Sequence, residues 1–215
     1  MERRLRPTDW DSYYARPYRT ASLTRKHAAS VLIGLMRNNG GVHPSILEFG
    51  GANSCFIDRI IEQVAPARYD VIDNNRLGLE LLKSRYMGDD RVSAIYGDVL
   101  STSEPNAPYD IVFSVGLIEH FDPAGTAAAV AAHFRYLRPG GTAIITFPTP
   151  TWLYRIVRKL AEATHSWIFF DERPLRLAEF ERAVANLGEI KSARILWPLI
   201  LTQYCVVTRK LPISP

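Results

Sequence analysis

Cysteine is almost absent from these 215 residues: there are two, Cys55 and Cys205, in unrelated stretches. Two thiols give no disulfide framework and no metal-ligand cluster. No metal is expected, and a reducing, cytoplasmic setting is. Long apolar runs are missing too. None approaches the roughly 20 residues that a bilayer-spanning helix needs, and the opening M-E-R-R-L-R-P-T-D-W lacks the apolar core of a signal peptide. Internal repeats and low-complexity tracts are absent. Excess charge is small. The formal net charge is +4, and residues 1–26 hold seven basic and three acidic side chains, so that segment carries the whole imbalance. A chain-wide nucleic-acid surface is therefore not expected, while a local basic contact with an anionic ligand or a membrane face is allowed. With 47% apolar and 22% charged residues, the composition is that of a globular chain, and one α/β domain over residues 1–215 is expected.

The most informative stretch is Ser45–Ser54, read S-I-L-E-F-G-G-A-N-S. A short apolar run ends at the carboxylate of Glu48, Gly50 and Gly51 follow, and Asn53 and Ser54 open an apolar-periodic stretch. This pattern predicts a buried strand, a tight glycine turn and a capped helix. Adjacent glycines let the backbone approach a ligand with no Cβ in the way. The helix beyond would present free N–H groups. The turn thus looks built to hold a cofactor at the carboxyl end of a strand, where open α/β sheets bind ligands.

Alternation continues along the chain. Residues 1–20 read as an irregular arm and Ala21–Met36 as a helix. Strands are expected at Ser45–Phe49, Tyr69–Asp73, Val92–Tyr96, Asp110–Ser114 and Thr142–Phe147, with helices at Ser54–Val64, Arg76–Tyr86 and Pro123–Leu137 between them. The strands are short, apolar and continuous, as in a parallel sheet covered on both faces. After Pro148 the pattern changes. Trp152–Ala163 reads as a helix, His165–Arg173 as a loop and Pro174–Leu187 as a helix, before strands at Ile190–Trp197 and Thr202–Arg209. The whole implies a Rossmann-like, mostly parallel, doubly wound sheet.

Two further acids narrow the ligand. Asp73 ends the second strand, 25 residues after Glu48, where a carboxylate can accept both hydroxyls of a ribose. The bland alternative is that Asp73, with Asn74 and Asn75, caps the next helix. Asp98 follows the third strand, where it can accept from an adenine amine or simply form a turn.

With E-F-G-G-A-N-S at 48–54, V-I-D-N-N at 71–75, Y-G-D-V at 96–99, Y-D-I-V-F-S-V-G-L-I-E-H-F at 109–121 and L-R-P-G-G at 137–141, the chain resembles the class I S-adenosylmethionine-dependent methyltransferases that act on small molecules. The resemblance covers about Trp10 to Arg209. It implies a seven-stranded sheet with helices on both faces and the last strand antiparallel. It also implies a cofactor core at 41–148, preceded by an arm and cap helix at 1–40. A substrate-side insertion would follow at 149–175, then a last helix with two strands at 176–215. By the resemblance, Glu48, Gly50 and Gly51 surround the methionine part of the cofactor, and Asp73 holds the ribose with Asn74 beside the adenine. Asp98 and the Val99 N–H would meet the adenine, and Ser114 and Val115 would form the floor under the sulfonium. The product would be S-adenosylhomocysteine. The family's glycine loop usually reads acid-x-Gly-x-Gly-x-Gly, and here Ala52 and Ser54 stand at the last two glycine places.

Methyl transfer from a sulfonium needs alignment and a dry pocket, and a base only where the nucleophile must lose a proton. His120, after the fourth strand, is the first candidate for that base and His165 the second; both compete with ordinary packing roles, and His27, His43 and His133 read as surface or structural. Glu119, Trp167, Trp152, Tyr14 and Tyr18 are expected on the substrate side. The aromatic-basic arm can pack on the domain or close as a lid. Trp152–Leu160 is a basic amphipathic helix, either packed with its cations in water or resting on a membrane surface. Cys55 is expected to pack at the start of a helix.

Other classes stay open. A nicotinamide oxidoreductase would need its Gly-x-Gly-x-x-Gly at Gly50, Ala52 and Cys55, which fits badly. An RNA methyltransferase would commonly carry an N/D-P-P-Y/F tetrapeptide where this chain reads S-V-G-L. A cofactor-binding partner subunit with an idle site is the non-enzymatic alternative.

Overall fold

The computed structural model describes residues 7–15, 22–101, 107–196 and 202–212. After a short helix α1 (Trp10–Ala15) and a long one, α2 (Ser22–Asn39), the chain alternates through β1 (Ser45–Phe49), α3 (Ile57–Gln63), β2 (Arg68–Asp73), α4 (Arg76–Arg85), β3 (Val92–Tyr96), β4 (Tyr109–Val115), α5 (Pro123–Tyr136) and β5 (Leu137–Pro148). Helices α6 (Trp152–Ala163) and α7 (Leu177–Val184) precede the final strands β6 (Gly188–Ile195) and β7 (Gln203–Lys210). One seven-stranded sheet results, in the order β3-β2-β1-β4-β5-β7-β6. The first five strands pair in parallel, and β7 lies antiparallel between β5 and β6.

Period-two alternation sends successive side chains to opposite faces. Ile46, Ile111 and Ile144 join one buried cluster with Leu32 and Met36 of α2 and Ile57 and Ile60 of α3. Their neighbours Leu47, Val112 and Ile145 join the other with Phe134 of α5 and Phe180 of α7. Phe180 is fully buried, its ring stacked 5.2 Å from that of Phe147. Phe180→Ala is expected to cost about 3–5 kcal/mol, read as a lower urea midpoint with the denaturant slope unchanged.

Local chemistry sets the helix starts. Asp122 caps α5 through the Gly125 N–H at 2.7 Å, with Pro123 at the first helical position. Asn75, not Asp73, caps α4, accepting from the Gly78 N–H at 2.7 Å. Several features differ from the sequence reading, among them helix α7, which is shorter than the expected Pro174–Leu187. The arm is not wholly irregular: Asp9 accepts from the Ser12 N–H at 3.0 Å and starts α1. Helix α3 begins at Ile57, because the Ser54 N–H closes a turn on the Gly51 carbonyl at 2.9 Å and the Ser54 hydroxyl accepts from the Phe56 N–H at 3.2 Å. The L-R-P-G-G segment belongs to β5, with a register shift opposite Tyr109 to Ile111. Strand β3 is an edge strand, with Tyr96 55% exposed, rather than one covered on both faces. Trp197, expected in the sixth strand, lies outside the described residues.

The order in which strands are added reverses between β1 and β4, and such a switch point opens a crevice at the carboxyl ends of the strands. The Gly50 turn after β1 and the Gly116 turn after β4 border that crevice.

Candidate active site

A cavity of about 880 Å³ occupies the crevice, toward the upper end of the roughly 300–1,000 Å³ usual for small-molecule sites. The turns after β1, β2, β3 and β4 form its base. Helices α1 and α2, the inner side of α6 and the segment 166–172 supply most of the remaining walls.

The glycine turn brings bare backbone over a buried acid. Gly50 has φ +72° and donates to the Ile72 carbonyl at 2.9 Å, tying the turn to β2. A Cβ on Gly51 would stand 2.3 Å from Glu48 Cδ, so any other residue there would push the Glu48 carboxyl from its buried place. Glu48 is 3% exposed and accepts from the Tyr69 hydroxyl at 2.6 Å. Burial pushes its pKa up to about 7, against the lowering effect of the Tyr69 and Ser54 hydrogen bonds.

Asp73 joins β2, the glycine turn and α1. Its Oδ2 accepts from the Ala52 N–H and the Tyr14 hydroxyl, each at 3.0 Å, and its Oδ1 accepts from the Asn75 N–H at 2.7 Å. Burial raises its pKa despite these donors. Tyr14 reaches it because Trp10, Tyr13 and Tyr14 share one face of α1 at i, i+3 and i+4, their rings 5.4–6.1 Å apart.

Beyond β4, the turn Ile118–His120 carries a histidine–carboxylate pair. His120 Nδ1 lies 2.9 Å from Asp171 Oδ1. The imidazole packs edge-on against Trp10, centroids 5.0 Å apart, and near Phe169 at 6.1 Å. Burial alone would lower the His120 pKa, but the Asp171 hydrogen bond and the nearby carboxylates of Glu119 and Glu172 raise it. Asp171, also bonded by the Thr8 hydroxyl, is held down at about 2, its hydrogen bonds outweighing burial. Arg173 fastens the turn, donating its N–H to the Glu119 carbonyl at 2.9 Å and its Nε to the Phe121 carbonyl at 3.2 Å. Glu119 is 1% exposed with Oε2 unpartnered, and burial pushes it up to about 8.

Of the residues singled out from the sequence, Glu48, Gly50, Gly51, Asp73, Asn74, Asp98, Val99, Val115, Glu119, His120, Tyr14 and Trp167 all border this one cavity. Three do not. Ser114 is fully buried, its hydroxyl 3.0 Å from Nε2 of His133, whose own burial lowers its pKa to about 4. His165 sits exposed at φ +55° in the turn after α6. Trp152 is 73% exposed, because α6 turns Val157 and Ala161 toward the cavity instead. Tyr18 lies outside the described residues. Cys55, expected to be packed, is exposed at the cavity wall. Asp171, Thr8 and Arg173 are additions from the structure. A D-x-x-S cap at Asp9–Ser12 was the one sequence signal for α1.

A family model described as a methyltransferase domain matches residues 46–141. No curated protein sequence matches the chain. Among solved structures, the N-methyltransferase NodS from Bradyrhizobium japonicum WM9, in complex with S-adenosylhomocysteine, is similar at TM-score 0.73. It has 14% identity over 93% of this chain and 95% of that one. Magnesium protoporphyrin IX methyltransferase (ChlM) from Synechocystis PCC 6803 gives TM-score 0.72 and 10% identity over 94% and 92%. A putative methyltransferase in complex with the Haloferax volcanii Trm112 activator gives 0.73 and 14% over 96% and 99%.

The fold is the one seen in S-adenosylmethionine-dependent methyltransferases. The match to a methyltransferase domain covers residues 46–141, with α1, α2, α6, α7 and the last strands outside it. The crevice also fits such a cofactor in its own right. Gly51 leaves no room for a Cβ, and a buried Glu48 titrating near neutrality suits a cationic ligand.

Proposed function

We propose that the protein methylates an apolar small molecule at an N–H or O–H group, with His120 taking the proton. The observation that carries this reading is the His120–Asp171 pair in the cavity wall. With Nδ1–H donated to Asp171, Nε2 is left as a lone-pair acceptor, and the raised pKa keeps it basic enough to hold the proton it receives.

The cofactor, when bound, supplies an electrophilic methyl group on a sulfonium. Glu48 and the Gly50–Gly51 backbone would take its amino-acid end, Asp73 and Asn74 its ribose and base, and Asp98 with the Val99 N–H the adenine edge. Val115 would lie beneath the methyl. The remaining half of the cavity is walled by Trp10, Phe121, Trp167 and Phe169, with Asp171 as an ionised carboxylate and Glu119 and Glu172 as carboxyl groups that burial holds toward the neutral form. Arg25 of α2 is the one Lys or Arg among the described cavity-lining residues. Acidic, aromatic walls disfavour phosphate- or carboxylate-bearing acceptors and leave RNA the weaker reading.

The test is a panel of aromatic amines, phenols, carboxylic acids and RNA, assayed for methyl transfer from S-adenosylmethionine. Uncharged and cationic acceptors are expected to turn over. A neutral His120 is required, so the rate with the accepted compound should rise with pH, the acid limb centred above the ordinary histidine value of about 6.5. Exclusive methylation of RNA or of carboxylates would overturn the proposal. Absence of turnover with all four classes, alongside tight S-adenosylhomocysteine binding, would favour the idle partner subunit.

A further inference from the structure

The outer face of α6 is unaccounted for by the site. Trp152, Ile156 and Leu160 are 73%, 47% and 62% exposed, and their four-residue spacing sets them in one stripe along the helix. Arg155 and Lys159 flank that stripe, exposed and without an ion-pair partner among the described residues. The third cation, Arg158, turns inward, where it bonds the Glu172 carbonyl at 2.9 Å and lies 5.2 Å over the Trp167 ring. The helix's one acid, Glu162, is held by Arg158 at 2.8 Å. The outward sector thus presents three large apolar side chains and two uncompensated positive charges. On the opposite side the same helix buries Tyr154 and lines the cavity with Val157 and Ala161.

We propose that this face docks on an anionic lipid bilayer, with Trp152, Ile156 and Leu160 entering the interface and Arg155 and Lys159 meeting the headgroups. The chemistry favours lipid over protein. Three side chains on a convex helix are far short of the area that a stable protein interface covers, yet an apolar stripe edged with cations is what interfacial helices use. Lys and Arg reach headgroup level while their stems lie along apolar surface, and tryptophan favours the same depth. Docking would place α6 as the partition between bilayer and cavity, so an apolar acceptor could pass from one to the other along Val157 and Ala161. That last step rests on the proposed transfer reaction, whereas the docking itself does not.

The full chain would be sedimented with vesicles of zwitterionic lipid alone and with vesicles also carrying phosphatidylserine. Binding is expected to the second, weakening as salt rises through screening of the two cations. Reversing both charges (Arg155→Glu with Lys159→Glu) should cut that binding by about tenfold or more, and Ile156→Asp with Leu160→Asp should abolish it. S-adenosylhomocysteine affinity, measured in solution, should stay unchanged in both variants, which separates loss of docking from loss of fold or cofactor site. Failure of the intact protein to sediment with anionic vesicles overturns the proposal. So does equal binding by the variants, and so does salt-insensitive binding, which would point to a protein-type apolar contact.

Discussion

His120→Ala is expected to lower turnover by about a hundredfold or more, the usual contribution of a positioned base, with S-adenosylhomocysteine affinity nearly unchanged. Under the proposed reading the imidazole serves the acceptor, and its contacts are with Asp171, Trp10 and Phe169 rather than with Glu48, Asp73 or Asp98. The acid limb of the pH profile should vanish with the side chain. Asp171→Asn separates a base from a packing histidine. Without its carboxylate partner, the His120 pKa drops, so the surviving acid limb should move to lower pH even as the rate falls. A purely structural pair would leave the limb where it was. The pair also gives a sign to stability: a raised His120 pKa adds stability below about pH 6.5, lost as pH climbs through the folded value. A well-folded His120→Ala protein with near-normal turnover would end the assignment and leave catalysis to alignment alone.

The second large effect is expected at Asp73. Its carboxylate accepts from Ala52, Tyr14 and Asn75 at once, and under the proposed reading it also meets the ribose. Asp73→Ala would orphan buried donors on the glycine turn and on α1, at about 1–3 kcal/mol each. Cofactor affinity should fall roughly five- to 150-fold, with a lower melting temperature. Calorimetry with S-adenosylhomocysteine reads the first and thermal denaturation the second. Asp73→Asn keeps the shape and one acceptor oxygen and should fall between. Unchanged affinity in Asp73→Ala would remove Asp73 from the ribose role.

Much of this arrangement was readable from residue order, because neighbouring positions carried it. Strands β1, β2 and β4 are short apolar runs, each followed within a few residues by the turn that borders the cavity, so Glu48, Asp73 and His120 could be placed at strand ends. The rest depended on contacts between distant segments. Asp171 meets His120 across 51 residues from a loop without periodicity, and the sequence alone kept His165 as a second candidate behind His120. Helix α1 shows one turn and a half of pattern, too little to separate its three rings from an irregular aromatic cluster. Ser114 lies one residue before the end of β4, yet β-strand alternation turns it to the face where His133 waits, away from the cavity that its neighbour Val115 reaches. Trp152 illustrates the same limit in a helix, where an amphipathic pattern names two faces without saying which one is covered.

Helix α1 is pinned at both ends to carboxylates of the site: Tyr14 to Asp73 and, through the residue before its cap, Thr8 to Asp171. The Tyr14 hydroxyl and the Ala52 N–H together take both lone-pair directions of Asp73 Oδ2. Under the proposed reading, a ribose arriving at that carboxylate meets Tyr14 already in place, and the Thr8 contact ties the same short helix to the partner of His120. Cofactor site and proton acceptor are thus expected to respond together when α1 is disturbed: Tyr14→Phe should alter both S-adenosylhomocysteine affinity and the pH profile of turnover.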